Sequence, residues 1–573
     1  MTVATHDAPP VGLAQVLRDA APLLAALALL MAGNGLTGTL LGVRAGLEGF
    51  GVTITGMVLA GYYAGFLIGS VAAPSTIVRV GHVRVFAGLA SLASAAVLIH
   101  VVWRDPAVWF VLRVVSGMCM SALYVVTETW LNGAATNRTR GSLLASYMVV
   151  VSGGLLAGQF LYSMVDPRGF GVFVLASVLV SLAVLPVSLA TVSVPAVFDP
   201  TPMSLRELVA VAPLAPVAAA LSGFTAAAMI GAGAVYAVQA GLGQGGTASL
   251  IGAALAGGLV LQVPLGRWSD RIDRRVVIAA TGLVASGLSV LAAMVGPDRL
   301  VLLILLVVLA GGAGFALYSL GNAHLNDYLE SSLVVTAGAR MVLVNGIGAV
   351  AGPIVGAFAI EAAGPGGLFV TLAAGYLVVA LFAAWRITRR AAVEPEERSS
   401  FAPVPIGASP TVAIFGEGSV GELYPPQVGE FESDAGALQY REQGAGHPVV
   451  LVFDPTTPAG DADAVLPALA ADGVRAIVPA VRATASTDDQ VEDLLAVLRE
   501  LDLATVAVVG VGRGADVVAH FAEHHPERLE ALVLVGAEPG RLPEIEPLEL
   551  DAQLLHDDAD AFADAIVTYL RHR

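Results

Sequence analysis

A chain of 573 residues that is 56% hydrophobic and only 13% charged, with mean hydropathy +0.78, lies outside the range of a soluble globular protein, where about 25% of residues are charged. The net charge of −17 argues against nucleic acid as a partner, because an acidic surface cannot neutralise phosphates. The one cysteine, Cys119, excludes an internal disulfide and any metal site built on thiolates.

The charge is unevenly spread. Residues 1–390 hold 19 Arg against 14 Asp and Glu, a net of +5, while residues 391–573 hold 10 Arg against 32 Asp and Glu, a net of −22. Such a step marks a domain boundary near residue 390. Residues 1–18 carry Asp7 and a single Arg, and the apolar run after them is too long for the core of a cleavable signal. They read as a short cytoplasmic N-terminus, residues 1–19.

Twelve apolar stretches follow, at about 21–43, 53–77, 83–103, 107–131, 142–165, 170–192, 212–239, 247–267, 276–295, 299–322, 334–360 and 366–386. Each can cross a hydrocarbon core of about 30 Å, which takes about 20 helical residues. In lipid each must be a helix, because only a helix satisfies its own backbone groups. One set of alternate loops carries Arg79 and Arg84; Arg138 and Arg140; Arg206; Arg267, Arg271, Arg274 and Arg275; Arg340; and Arg386, Arg389 and Arg390. The other set carries only Arg44, Arg104, Arg168 and Arg299. The Arg-rich face is expected to be cytoplasmic, which makes this a multi-pass protein of the cytoplasmic (inner) membrane with both termini inside.

The stretches repeat. Ala122-Leu123-Tyr124 followed by Leu131-Asn132 reappears 194 residues later as Ala316-Leu317-Tyr318 followed by Leu325-Asn326, and Gly117 maps to Gly311 at the same offset. Two homologous halves packed about an axis normal to the bilayer leave a cavity between them, and substrate sites of transporters lie there. The expected division is residues 20–192 and 212–390 for the two six-helix halves, with a cytoplasmic link at 193–211. Residues 391–435, rich in Pro, Gly, Ser and Glu, read as a flexible linker. From residue 436 short β-branched runs alternate with amphipathic helices, which predicts a small parallel α/β sheet. The fold class expected is therefore an all-α polytopic membrane protein of twelve helices in two six-helix pseudo-repeats, followed by a small α/β cytoplasmic domain.

Gly266-Arg267-Trp268-Ser269-Asp270-Arg271-Ile272-Asp273-Arg274-Arg275 lies between the eighth and ninth stretches. It resembles the cytoplasmic loop signature of the major facilitator superfamily, in which Gly, then Asp-Arg, then a basic cluster recur. The resemblance implies a gating loop in which Asp270, Arg271, Arg274 and Arg275 form state-dependent ion pairs between helix ends. Charges at a helix–water boundary that pair in one conformation and hydrate in the other bias a two-state equilibrium. The first-half loop, Pro74–Arg84, keeps Arg79, Gly81 and Arg84, but Val78 stands where the Asp is expected and Pro74 where the first Gly is. Orientation-setting Arg residues at a helix end account for that loop equally well.

Arg113-Val114-Val115-Ser116-Gly117 resembles the family's fourth-helix motif, whose Arg is associated there with proton relay. An Arg inside a membrane helix costs at least about 2.5 kcal/mol, so it either faces a partner or wet cavity or snorkels to the headgroups. Glu128, Trp130 and Asn132 close the fourth stretch, and Asn322, His324, Asn326 and Asp327 close the tenth in matching places. Glu128, His324 and Asp327 are candidates to carry protons; the alternative is helix-end capping by loop arginines. The pattern TETWLN with the later NAHLND resembles the YcaD-like branch of the superfamily. Gly348, Gly352, Pro353 and Gly356 resemble a motif of the superfamily's antiporters, although small residues four apart chiefly allow close helix packing.

The C-terminal region resembles the front half of an α/β hydrolase. Leu438–Phe453, LQYREQGAGHPVVLVF, reads as the first hairpin, and Gly510-Val511-Gly512-Arg513-Gly514 as the strand–turn–helix elbow that in this family carries the nucleophilic Ser. Here that position is Gly512, and Phe453-Asp454 replaces the usual oxyanion segment. His556 sits where the family's His would be, but a base without a nucleophile performs no acyl transfer. A degenerate, inactive module is expected, with no catalytic residue, metal or cofactor. A loose dinucleotide turn at Gly510, Gly512 and Ala515 is the weaker rival.

The function expected is secondary active transport of a small molecule by alternating access, with proton-coupled export leading. The protein is expected to be monomeric, with the bilayer, a small solute and protons as partners. Few charges line the expected cavity, which favours a neutral or singly charged substrate. The alternatives are a membrane sensor or regulated transporter whose tail binds a ligand or partner, and an enzyme acting through the tail.

Overall fold

The computed structural model describes residues 13–134, 140–189, 203–329, 333–390, 393, 398, 401, 427–433, 436–444, 447–454, 465–470, 474–480, 486–501, 503–535, 548–550 and 559–571. The twelve apolar stretches are twelve helices long and apolar enough to cross a membrane. They are α1 Leu13–Leu47, α2 Val52–Val80, α3 His82–Val102, α4 Pro106–Ala134, α5 Arg140–Met164 and α6 Gly171–Ser188. The second set is α7 Leu214–Gln239, α8 Gln244–Arg271, α9 Arg274–Val295, α10 Leu300–Asn326, α11 Val334–Ala363 and α12 Gly367–Ile387. Between the sets, a short helix Leu205–Val211 is started by Ser204 and Glu207, each bonding the other's backbone N–H.

The repeat extends to packing. α2 lies against α4 as α8 lies against α10, α1 against α5 as α7 against α11, and α3 against α6 as α9 against α12. Lipid tails are as apolar as the helices, so association rests on close van der Waals fit and backbone approach rather than on hydrophobic burial. A Cβ on Gly65 of α2 would collide with the Val114 carbonyl of α4, and one on Gly257 of α8 with the Val308 carbonyl of α10. Likewise Gly158 of α5 abuts the Ala32 carbonyl of α1, and Gly352 of α11 the Phe224 carbonyl of α7. Gly348 meets the Ala220 carbonyl and Gly356 the Ala232 side chain. Residues Gly348, Gly352 and Gly356 thus lie along the α7 contact. Pro353, in the same turn, packs on Gly231, inside a π-helical turn of α7 at Ala228–Ala232.

The tail is a seven-stranded sheet of β1 Gln427–Ser433, β2 Gly436–Gln443, β3 His447–Val452, β4 Val474–Pro479, β5 Val506–Val511, β6 Leu529–Val535 and β7 Leu548–Leu550. Their order is β1-β2-β4-β3-β5-β6-β7. The β1–β2 and β2–β4 pairs are antiparallel and the others parallel. Buried alternate residues of the central strands face two cores. Phe562 and Ile566 of α15 (Ala559–Arg571) cover one side. Leu494 of α13 (Thr487–Glu500) and Phe521 of α14 (Gly514–His524) cover the other.

Two expectations are corrected here. Leu438–Phe453 does not form a hairpin: β2 pairs with β1 and β4, while β3 pairs with β4 and β5. The short turn after Gln443 therefore leads across the sheet rather than back along it. The expected linker of 391–435 ends early, because Gln427–Ser433 already forms β1 and finds an antiparallel partner in Gly436–Gln443. Its Gly and Glu content looked like linker, but its pairing partner lies immediately downstream.

Gly65→Ala is expected to destabilise the protein by about 1–3 kcal/mol, the usual cost of overpacking, because its neighbour is rigid backbone. Gly88→Ala, whose Cβ would meet nothing within 4 Å, is expected to cause no loss. Thermal unfolding of the two purified variants beside wild type checks the pair; equal melting would contradict the fit described for α2 and α4.

Candidate functional site

Eight helices, α1, α2, α4 and α5 from one set and α7, α8, α10 and α11 from the other, surround a central cavity with about 1190 Å³ of empty space, part of it open to solvent. Its polar lining is Asn34, Tyr62, Tyr63, Arg113, Tyr124, Gln159, Ser222, Tyr318 and Asn345; the rest is apolar or Gly. Arg113 is the one charged residue in that lining. It is 5% exposed, its guanidinium carbon stands 4.5 Å from the centre of the Tyr62 ring, and its Nε is buried without a hydrogen-bond partner. The side chain faces the cavity rather than rising to the headgroups. Asn34 Nδ2 donates to the Tyr62 hydroxyl at 3.1 Å, which leaves the hydroxyl's own proton to be donated elsewhere. Gln159 accepts from Thr39 at 2.7 Å and donates to the Gly35 carbonyl at 2.9 Å, tying α5 to α1.

At the Arg-poor face the two sets close together. The Thr53 backbone N–H donates to Glu361 Oε2 at 3.0 Å, and the Thr53 hydroxyl donates to the same carboxylate. Gln244 Nε2 donates to the carbonyls of Tyr162 and Val165. Gly56 packs on Ala357, and Gly42 on Ala234. These contacts join α2 to α11, α5 to α8 and α1 to α7, so the cavity is sealed on that side.

At the Arg-rich face, Arg274 is the centre of a clamp within the second set. Its side chain is 1% exposed, with Nε 2.8 Å from Asp327 Oδ2 and Nη1 3.1 Å from Asp270 Oδ1. Ser269 Oγ accepts a further bond from Nη1 at 2.9 Å. Arg275 pairs with Asp273 at 2.7 Å and donates to the Arg390 carbonyl at 2.7 Å. Arg390 in turn lies 4.1 Å over the Tyr328 ring. Burial pushes the Asp273 carboxyl up, but bonds from the Arg275 side chain and backbone N–H outweigh it and hold it below the ordinary value. Asp273 therefore stabilises the fold above the ordinary carboxylate range, and the contribution is lost as pH falls through its lowered value. Arg271 is exposed, and Gly266 lies under the ring of Phe401.

The first-set loop differs. Arg79 and Arg84 are exposed, Gly81 makes the turn with φ +89°, a region that favours glycine, and the Val78 side chain is outside the described residues. Buried His82 packs on Trp130, ring centres 5.8 Å apart. Of the polar ring expected at the helix ends, Glu128 is fully buried and accepts a bond from the Tyr147 hydroxyl. It also lies within electrostatic reach of Tyr124 and Tyr318 at the cavity. His324 is 5% exposed and packs edge-on to Tyr328. Asn322 Nδ2 donates to the Tyr318 carbonyl at 3.2 Å, Asn326 is half-buried, and the Asn132 side chain is outside the described residues. Asp327 is occupied by Arg274. Among the described expected pathway residues, Arg113 is the one that lines the cavity. The tyrosines and amides that line it with Arg113 were not singled out as site residues from the sequence; Tyr124 and Tyr318 appeared there only as matching positions of the repeat.

Residues 214–421 match the family described as Major Facilitator Superfamily. The uncharacterized MFS-type transporter YcaD of Escherichia fergusonii is 27% identical over 309 residues, covering 52% of this chain and 77% of that protein. An uncharacterized MFS-type transporter of Yersinia pestis is 25% identical over 323 residues, covering 56% and 82%. The structure of nucleoside transporter NupG (D323A mutant) superposes with a TM-score of 0.53 at 13% identity, over 66% of this chain and all of that one. The membrane domain is similar to major facilitator proteins and shares the fold of the NupG structure. Its closest-fitting motif in the sequence, Gly266–Arg275, is the same segment that forms the Arg274 clamp. Residues 474–547 match the Ndr family, and the tail is α/β-hydrolase-like.

In that tail, Gly512 has φ +59°, the left-handed turn on which a hydrolase elbow presents its side chain. A Cβ there would meet only Asp454, at 3.4 Å. The Arg513 backbone N–H points to Asp454 Oδ2 at 3.4 Å. The amide that would stabilise an oxyanion thus faces the chain's own carboxylate. Expected His556 lies outside the described residues.

Asp327→Asn is expected to destabilise the membrane domain by about 3 kcal/mol, the lower end of breaking a buried ion pair, since Asp270 and Ser269 still face Arg274. Asp270→Asn, at the more exposed side of the clamp, is expected to cost less. Melting temperatures of the two variants check the order; a larger loss for Asp270→Asn would contradict it.

Proposed function

We propose that this protein is a secondary transporter that moves a small molecule across the cytoplasmic membrane by alternating access, with the central cavity as its binding site. The observation that carries the reading is the cavity itself. Four helices of each half line it, and it is closed at one face by contacts between the halves, as rocking of two repeats about a fixed site requires. The transporter names of the similar proteins support it. With the Arg-rich face cytoplasmic, the seal lies on the outer side and the state is inward-facing, both termini are inside, and export begins by loading from the cytoplasm. The Arg274 clamp stays within the second half, so it holds that half's helix ends together while the halves rock.

Proton coupling is assigned to Glu128. It is a buried carboxylate that accepts from the Tyr147 hydroxyl beside the cavity tyrosines, and a carboxylate in such a place gains or loses a proton as the local water changes. His324 and Asp327 fit less well, because Asp327 is held by Arg274 and His324 lies behind Tyr328. Glu128→Gln is expected to flatten the pH dependence of transport while the protein still reaches the membrane. A mutant profile that follows the wild-type pH dependence removes Glu128 from coupling.

The seal supplies the test of alternating access. A Thr53→Cys, Glu361→Cys pair joined by a short crosslinker is expected to abolish accumulation of any solute that wild-type proteoliposomes take up from a metabolite and drug mixture. Undiminished transport by the crosslinked fraction would falsify the mechanism.

The tail is assigned no hydrolase activity. Gly512 offers no hydroxyl, and Asp454 confronts the donor beside it. Wild type is expected to stay unlabelled by a fluorophosphonate probe, and so is Gly512→Ser, because the added hydroxyl would sit next to a carboxylate that repels a developing oxyanion. Labelling of either protein overturns this. One observation favours a regulated transporter as the second reading: Phe401, on the segment that leads to the tail, packs on Gly266 in the gating loop. Through that contact a ligand on the tail reaches the rocking halves.

A further inference from the structure

We propose that the cavity is selective for organic monoanions, a carboxylate or similar group carried on an aromatic or aliphatic body, with the anionic group held by Arg113. The proposal rests on the reading of the cavity as the substrate site and names what enters it.

The lining contains one cation and no acid. Arg keeps its charge at any physiological pH, and a guanidinium in a low-dielectric wall is costly until an anion joins it. Among the described residues no ion pair involves Arg113, and its nearest ionisable neighbours are Tyr62 and Tyr63, both neutral phenols. Glu128 lies beyond Tyr124 and bonds Tyr147. The charge is therefore left for something that is not part of this chain.

The geometry around Arg113 shapes that ligand. The Arg113 guanidinium lies over the Tyr62 ring, a cation–π contact that uses none of its N–H donors. Nε is buried and without a partner, so Nε–H and a neighbouring Nη–H form the two-pronged edge that fits a carboxylate. Tyr62 already accepts from Asn34, so its hydroxyl proton is available to the same anion. Away from this corner the lining is mostly apolar, with Phe66, Ile230, Leu255, Phe315 and Val342, and its remaining polar groups, among them Gln159, Ser222 and Asn345, are uncharged. One positive group at the end of an apolar chamber matches one negative group at the end of an apolar body. A cation is repelled, a neutral solute leaves Arg113 unpaired, and a dianion brings one charge with no partner. Each mismatch is a penalty against the wrong solute rather than an added attraction for the right one.

The test is equilibrium dialysis of the purified full-length protein in phosphatidylcholine nanodiscs. The probes are benzoate, indole-3-acetate and octanoate, each paired with its neutral amide. Wild type is expected to prefer each acid by about tenfold or more, the size of a charged hydrogen-bonded contact. Arg113→Gln is expected to lose the preference, and Arg113→Lys, which keeps the charge but not the fork, to retain part of it. Because Arg113→Gln removes an unpaired buried charge, it is expected to melt no lower than wild type. Should it fail to fold, Arg113→Lys with Tyr62→Phe carries the comparison, and an undiminished preference in that protein overturns the proposal. Equal binding of acid and amide in wild type, or no binding of either, overturns it as well. So does an anionic phospholipid retained at one per wild-type protein and lost from Arg113→Gln, since the occupant would then be a lipid headgroup. Counterflow of the same solutes in proteoliposomes separates this proposal from the transporter reading. Acid-selective binding without counterflow removes transport and leaves the anion site. Counterflow of amides as fast as acids keeps transport and removes the anion site.

Discussion

Charge inside a hydrocarbon slab has to be answered by something close to it, and that constraint sorts the membrane half of this molecule. Arg44 pairs with Glu48 at 2.6 Å near the Arg-poor face. Arg274 is enclosed by Asp327, Asp270 and Ser269 at the opposite one. Glu128 has the Tyr147 hydroxyl. Within the helices that surround the cavity, Arg113 alone faces an empty space with a ring beneath it. The same medium that makes these charges expensive also denies the helices a hydrophobic reason to associate. They associate through glycine against carbonyl, and the contacts recur from one half to the other: Gly65 with Val114 and Gly257 with Val308, Gly158 with Ala32 and Gly352 with Phe224.

Those recurring pairs determine where the cavity can be. α2 with α4 and α1 with α5 are rigid doublets in the first half, as are α8 with α10 and α7 with α11 in the second. Each doublet is held by glycine packed on backbone. Between the halves α2 packs along α11 and α5 along α8, with the Thr53–Glu361 and Gln244 bonds at the Arg-poor face. The peripheral helices α3, α6, α9 and α12 take no part in the lining and face outward with much of their apolar surface exposed, among them Leu92, Val178, Leu283 and Leu381.

Much of this was legible in the sequence, for identifiable reasons. A membrane span announces itself through sustained apolar composition, so all twelve helices could be read within a few residues. The repeat was visible because packing against a carbonyl tolerates little but glycine, which preserved Gly117 and Gly311. The Gly266–Arg275 segment was legible because its charges sit at helix ends. The cavity was harder. A Tyr or Asn within an apolar run does not disclose which way it faces, since neither the lipid side nor the protein side of a helix is marked by alternation with charge. Tyr62, Tyr124 and Asn345 acquire meaning only when eight helices are set around one space. In the tail, the strands β3 to β6 were readable as β-branched runs, but pairing was not. The placing of β4 between β2 and β3 and the early start at Gln427 depend on which edge is already taken, and that is a property of the whole sheet.

The lone Arg113 has an electrical consequence. A charge carried through the full membrane potential exchanges about 2.3 kcal/mol per 100 mV, and under the alternating access proposed above the cation in the cavity wall would cross part of that field with each rocking motion. When the cavity is empty the moving centre bears a full positive charge, and the voltage favours one orientation over the other. When a monoanion rests on Arg113 the two charges cancel, and the filled cavity passes through the field almost without work. The membrane potential would then govern the return of the empty protein and not the passage of its cargo.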